Sequence, residues 1–131
     1  MKNRKARVLL VEDEQSLAEV LAALLEMEGY DVTVAFNGQV GLDLVETTQP
    51  ELIITDYMMP VMNGVEMARC VRLVPGLGTL PILMTSAVSE KEIGTGRSLL
   101  TAFMRKPVEF DLLLDEVSGL LANRASSQDP K

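Results

Sequence analysis

The chain has 131 residues, 47% hydrophobic and 24% charged, with a formal net charge of −7, which suits one globular domain with a Leu, Val, Ile and Met core. That acidic balance argues against a surface built to grip nucleic acid, which needs clustered Lys and Arg; the basic arm Lys2, Arg4, Lys5 and Arg7 is too short to change this. No apolar run reaches the roughly 18 residues of a membrane span and no signal peptide opens the chain, so the expectation is a cytoplasmic protein with no membrane partner.

The elements alternate along the chain. Ala6–Val11 (ARVLLV) is a near-continuous apolar run, the mark of a strand buried on both faces. Leu17, Val20, Leu21, Leu24 and Leu25 then recur at helical spacing, and Gly29 closes that helix. Asp31–Phe36 reads as the second strand. Asn37 caps a second helix carrying Val40, Leu44 and Val45, and Pro50 breaks it. Glu51–Asp56 is the third strand. A third helix runs from about Asn63 to Leu73, where PGLG stops it.

Leu80–Ser86 is the fourth strand. Ser89 and Glu92 spell a capping box, but Gly94 and Gly96 each cost the following helix about 1 kcal/mol relative to Ala, so it should be short, frayed or displaced. Thr101–Arg105 is a short fifth strand. Phe110, Leu113, Leu114, Val117 and Leu121 stripe a last helix, and residues 122–131 read as a polar tail or a linker. Five strands alternating with five helices predict an α/β domain, a parallel sheet covered on both faces.

Open parallel sheets bind ligands outside the carboxyl ends of their strands. There the first strand delivers Glu12, Asp13 and Glu14, the third Asp56, the fourth Thr85 and Ser86, and the fifth Lys106 followed by Pro107. Two unit charges about 4 Å apart repel by roughly 4 kcal/mol at an effective dielectric near 20. Folding alone does not reward such a cluster, whereas a hard divalent cation such as Mg2+ does, because it prefers oxygen ligands. Mg2+, a lysine and a hydroxyl together suit the oxygens of an incoming phosphoryl group. Asp56, alone on its strand end between the acids and Lys106, is the natural acceptor. The chain contains no histidine, which removes His-based triads, His metal sites and any phosphohistidine on this chain, and its single cysteine, Cys70, reads as a small buried hydrophobe.

These residues resemble the receiver domain of two-component response regulators, of the chemotaxis-regulator type, over roughly Ala6–Leu121. The acidic pair falls on Glu12 and Asp13. The pattern D-x-x-M-P-x-M-[DN]-G is met at every fixed position from Asp56 to Gly64. The hydroxyl-then-alanine falls on Ser86 and Ala87, five residues after Pro81, with Thr85 one place early and expected to point the other way. The Lys-Pro pair falls on Lys106 and Pro107, and the switch aromatic on Phe103.

The resemblance implies a flavodoxin-like sheet in strand order 2-1-3-4-5, with residues 1–121 as the receiver. It implies Mg2+ held by Glu12, Asp13, Asp56 and the Met58 backbone carbonyl, with Lys106 and Ser86 assisting transfer to Asp56 and a cis Lys106–Pro107 bond aiming the lysine. The switch residues would be Ser86 and Phe103. The partners implied are a sensor histidine kinase or histidine phosphotransfer protein and a downstream target or output domain, with no direct nucleic-acid contact. A receiver is not a conventional enzyme, though it promotes its own phosphoryl transfer and autodephosphorylation. Two departures stand out: Glu12 replaces the commoner Asp, and the segment from Ala87 to Lys106 is about two residues short, with Leu99-Leu100-Thr101 in place of a Gly-Ala turn. Two other readings are weaker. An aspartyl phosphatase needs a second aspartate two residues after its nucleophile, where this chain has Met58. A degenerate receiver used only for binding would not need Glu12, Asp13, Asp56, Ser86 and Lys106 intact.

Overall fold

In the computed structural model, residues 4–127 are described. The elements are β1 (Arg7–Val11), α1 (Gln15–Met27), β2 (Asp31–Ala35), α2 (Gly38–Thr48), β3 (Leu52–Asp56) and α3 (Gly64–Leu73), followed by β4 (Ile82–Ser86), α4 (Glu90–Ile93), a 3-10 turn (Gly94–Leu99), β5 (Ala102–Arg105) and α5 (Phe110–Ser127). The sheet is parallel throughout in the expected order β2-β1-β3-β4-β5.

Strands β3 and β4 are buried along their whole length, and β1, the near-continuous apolar run, is nearly so. Period-2 alternation splits the sheet into two faces. Leu9, Val11, Ile53, Ile82 and Met84 pack toward Met67, Ala68 and Val71 of α3 and Val45 of α2. Val8, Leu10, Leu52, Ile54 and Leu83 pack toward Leu25 of α1 and Leu113 and Val117 of α5.

The helix boundaries follow local chemistry. Asn37 Oδ1 accepts the Val40 N–H at 2.9 Å and starts α2. Gly29 ends the first helical crossover at a φ of +99°, a conformation open to glycine. The helix after Ser89 is short, as its glycines predict, and the extent of α5 differs from expectation. The helix after Ser89 lasts four residues before Gly94, at φ +65° and ψ −136°, breaks its axis. Helix α5 continues through Ser127, so the polar stretch that begins at 122 starts out helical rather than as a loose tail; residues 128–131 lie outside the described residues. Among the described residues no helix is long and apolar enough to cross a membrane.

Candidate functional site

Parallel strands bring their carboxyl ends to one edge, and three of them deliver charge there. Glu12, just past β1, is only 2% exposed, and its N–H donates to the Ala35 carbonyl at 3.0 Å. Asp56 closes β3 at 7% exposure. Lys106 follows β5, with its N–H donating to the Ser86 carbonyl at 2.8 Å and its bond to Pro107 cis. The Lys106 ammonium lies 3.2 Å from Glu12 Oε1 and 3.3 Å from Asp56 Oδ2. The other oxygens are held by backbone: Glu12 Oε2 accepts the Glu14 N–H at 3.1 Å, and Asp56 Oδ1 accepts the Tyr57 N–H at 2.8 Å. Asp13 is exposed, but carboxylate oxygens of Glu12, Asp13 and Asp56 lie within 4.8 Å of one another.

The acids are not there to begin α1. Glu14 occupies the N-cap without a side-chain capping bond, and Glu12 turns back toward Lys106. Burial pushes the Asp56 carboxyl above its ordinary range against the pull of Lys106 and the Tyr57 N–H, and Asp13 adds to the rise. Burial raises Glu12 as well, and Asp56 adds to that, against the Glu14 N–H and Lys106. Burial acts to lower Lys106, but Asp56 and Glu12 outweigh it and hold the ammonium firmly charged. Three carboxylates therefore face one ammonium. An all-oxygen donor set with surplus negative charge fits a hard divalent cation better than a soft metal.

The segment after Asp56 explains its own composition. Asn63 Oδ1 accepts the Glu66 N–H and Glu66 Oε1 accepts the Asn63 N–H, both at 2.9 Å, which closes a capping box at the start of α3. Gly64 donates its N–H to the Tyr57 carbonyl at 2.8 Å, and a Cβ there would fall on the Asp56 carbonyl oxygen. The Asn-Gly pair thus seats the first turn of α3 directly on the backbone of Asp56. Met58 lies between them with its side chain largely exposed.

The two hydroxyls of β4 part company. Ser86 is fully buried, and its Oγ accepts the Val88 N–H at 3.0 Å. Alternation puts Ser86 on the α3 face of the sheet, the face where half-buried Phe103 packs. Thr85 does point the other way, as expected. That other way is the face of Asp56, its direct neighbour in register, and Thr85 lines a cavity of about 470 Å³ together with Glu12, Asp56 and Lys106. The structure thus brings Glu12, Asp13, Asp56 and Lys106 together and holds Ser86 and Phe103 beside them on the opposite face. Sequence reasoning placed Thr85 at this edge and expected it to turn from Ser86, but gave it no role. It passed over the capping pair, spelled plainly as N-x-x-E.

The pattern that defines the response regulator receiver domain matches residues 8–118. The chain belongs to that family. It is 37% identical over 90 residues to the DNA-binding response regulator MtrA of Mycolicibacterium smegmatis, a match covering 69% of this chain and 38% of MtrA. Among solved structures it resembles the chemotaxis protein CheY4 of Vibrio cholerae, with a TM-score of 0.83 at 29% identity over 89% of this receiver and 99% of CheY4. It also resembles the response regulator TrrA of Thermotoga maritima in complex with Mg2+ and BeF, with a TM-score of 0.80 at 29% identity over 88% and 98% of the two chains. This receiver is thus a phosphorylation-dependent signalling module of two-component systems rather than a conventional enzyme. It spans 38% to 55% of the length of the first curated relatives it matches. Since those relatives include DNA-binding regulators, the expectation that nucleic acid has no part among its partners does not stand: acidity describes this module's surface and says nothing of a domain joined to it.

Proposed function

We propose that Asp56 is the phosphoacceptor, taking a phosphoryl group from a phosphohistidine of a sensor kinase or histidine phosphotransfer protein. The observation that supports this best is the placement of Asp56: a buried strand-end carboxylate between one ammonium and two further acids. An oxygen of Asp56 attacks phosphorus, the N–P bond breaks, and the donor imidazole keeps the electron pair. The Tyr57 N–H and Lys106 hold the carboxylate in place, and Lys106 is within reach of the arriving phosphoryl oxygens. Mg2+, held by Glu12, Asp13, Asp56 and the Met58 carbonyl, would supply charge neutralisation for those oxygens. The later return of the unmodified state is hydrolysis of the same aspartyl phosphate, promoted by the same groups.

Ser86 and Phe103 are the proposed switch pair. Reaching for a phosphoryl oxygen would draw the Ser86 hydroxyl, whose oxygen accepts the Val88 N–H, toward the site. That motion loosens the loop after β4 on the face where Phe103 packs, and partners read the repacked surface. Residues 1–121 form the receiver unit and 122–131 its polar extension; the working compartment is the cytoplasm. The output is a downstream protein or a joined domain, DNA-binding domains included.

Intact-mass measurement after incubation with acetyl phosphate and Mg2+ tests the assignment. The chain should gain one phosphoryl mass, Asp56→Asn should gain none, and chelation should abolish the gain. Equal uptake by Asp56→Asn would sink the reading.

A further inference from the structure

We propose that the Thr85 hydroxyl is a positioning group for Lys106, holding the third N–H of its ammonium through one water in the cavity below Asp56. The kinetic consequence rests on Asp56 being the phosphoacceptor; the geometry does not.

Thr85 is 7% exposed, and its hydroxyl makes no hydrogen bond to any described residue. A buried hydroxyl left unpaired costs about 1–3 kcal/mol. Nothing in the packing of β4 calls for that cost, because Ile82, Leu83 and Met84 fill the preceding positions with apolar groups. Valine would have the same shape, a better strand propensity and no such penalty. Among the described residues no side-chain oxygen or nitrogen is sealed away without a partner, so the Thr85 hydroxyl opens on the cavity it lines.

Lys106 faces the same cavity with a matching need. Its ammonium carries three N–H groups. The ammonium donates to Glu12 at 3.2 Å and forms an ion pair with Asp56 at 3.3 Å, long and nearly equal contacts that leave the cation shared between both acids. The cavity of about 470 Å³ is walled mainly by Leu10, Leu17, Leu21, Ile54 and Leu113, and its charged and hydroxyl groups include Thr85, the register neighbour of Asp56, and Lys106, which lies within 3.3 Å of Asp56 and Glu12. A water among those groups has the two to four polar partners that a buried water needs. Ser86 cannot serve, since it lies on the other face with its oxygen on the Val88 N–H. Adjacent hydroxyls on β4 thus do separate jobs, one following the phosphoryl group and one steadying the lysine.

A further tether to the ammonium keeps it shared between the two carboxylates instead of collapsed onto one. A water-mediated tether is also compliant, so Lys106 can follow a phosphoryl oxygen when it arrives. The proposal separates Thr85→Val from Thr85→Ser. Thr85→Val should slow phosphoryl uptake from acetyl phosphate in Mg2+ about fivefold at saturating donor, with the half-saturating donor concentration unchanged. Thr85→Ser should return the rate to within about twofold of the original. Without any donor, the Lys106 ammonium resonance in 15N NMR should exchange with solvent faster in the Val variant and normally in the Ser variant. Should Thr85→Val fold poorly, Thr85→Ala against Thr85→Ser gives the same contrast in the hydroxyl. Unchanged ammonium exchange and unchanged uptake in the Val variant would overturn the proposal, as would a Ser variant that behaves like Val. If the original chain takes up no phosphoryl while ammonium exchange still follows the hydroxyl, the phosphoacceptor assignment fails and the positioning role stands.

Discussion

Two crossovers leave this sheet from neighbouring strands, begin with the same device and end differently. The one after β3 starts α3 with Asn63 and Glu66; the one after β4 starts α4 with Ser89 and Glu92, where the Glu92 carboxylate accepts the Ser89 N–H at 3.0 Å. Helix α3 then runs ten residues and α4 runs four. A capping box contributes about 1 kcal/mol wherever it sits, so it cannot account for the difference. What differs is burial: α3 lays Met67, Ala68 and Val71 into the core with no exposed area, whereas α4 buries Ile93 alone before Gly94 turns the chain. Caps choose where a helix begins, and packing decides whether it continues. The contrast also suits the site. The α3 crossover holds Asp56 rigidly from behind, and the α4 crossover leaves the Ser86 side free to rearrange.

The sharpest way to break this comparison is to add one methyl group to each crossover. Gly64→Ala drives a Cβ onto the Asp56 carbonyl and should cost about 3 kcal/mol, at the upper end for overpacking, in urea unfolding. Gly94→Ala meets no atom within 4 Å and carries only the strain of its positive φ, so it should cost about half as much. Equal losses would mean that the second crossover is as tightly built as the first.

Arg72 links the two regions. From α3 it donates to the Leu99 carbonyl at 3.0 Å, to Leu77 at 3.1 Å and to Leu80 at 2.7 Å. Burial lowers its pKa without discharging it. Arg72→Met leaves those carbonyls without their donor and should cost about 2 kcal/mol. Chevron analysis and fluorine labels on the 3-10 turn should locate the loss there; a loss confined to the start of α3 would refute the linkage.

Native-state hydrogen exchange sharpens the same contrast without mutation. Amides of residues 89–101 should exchange at least tenfold faster than those of α3, about 1.4 kcal/mol less protection, and should change most on treatment with a phosphoryl mimic. Equal protection, indifferent to the mimic, would move the output to another face such as α5.

The smallest effect comes from the opposite end of the sheet and serves as a control. Glu51 accepts the Arg7 N–H and a two-pronged Arg4, each at 2.9 Å, and its pKa falls to about 2, chiefly through the Arg4 hydrogen bonds. A depressed carboxyl contributes stability above its unfolded pKa and loses it as pH falls through the folded one. Glu51→Gln should therefore cost about 1 kcal/mol at neutral pH, discounted for exposure, and the deficit should close between about pH 4.5 and 2. Neither crossover should respond in hydrogen exchange; a change at Asp56 would show that the sheet transmits more than these contacts imply.

Much of this was legible along the chain. The apolar runs marked every strand within a residue or two, and the strand-end charges Glu12, Asp56 and Lys106 stood out because adjacent acids have no reason to cluster in folding alone. Gly94 and Gly96 were read alike, as weak helix formers, and they prove different. Gly94 is needed for its positive φ. Gly96 lies where a Cβ would press on Val65 of α3, so its smallness serves packing. The run of α5 past Leu121 was missed because a polar stretch carries no apolar period to count.

The sequence alone determined what depends on neighbours a few residues apart: the alternation of strand and helix periods, the caps at Asn37 and Ser89, and which residue types reach the carboxyl edge. Tertiary structure decided what depends on contacts distant along the chain. The register that pairs Asp56 with Thr85 turns one β4 hydroxyl toward the site and the next toward Phe103. Close approach of the 3-10 turn to α3 required Gly96, and carbonyls from two segments, Leu77 and Leu80 before β4 and Leu99 in the 3-10 turn, gathered on Arg72. A side chain's type is written in the chain, but its direction is set by the partner strand, because a shift of one residue in pairing reverses the face of every side chain that follows.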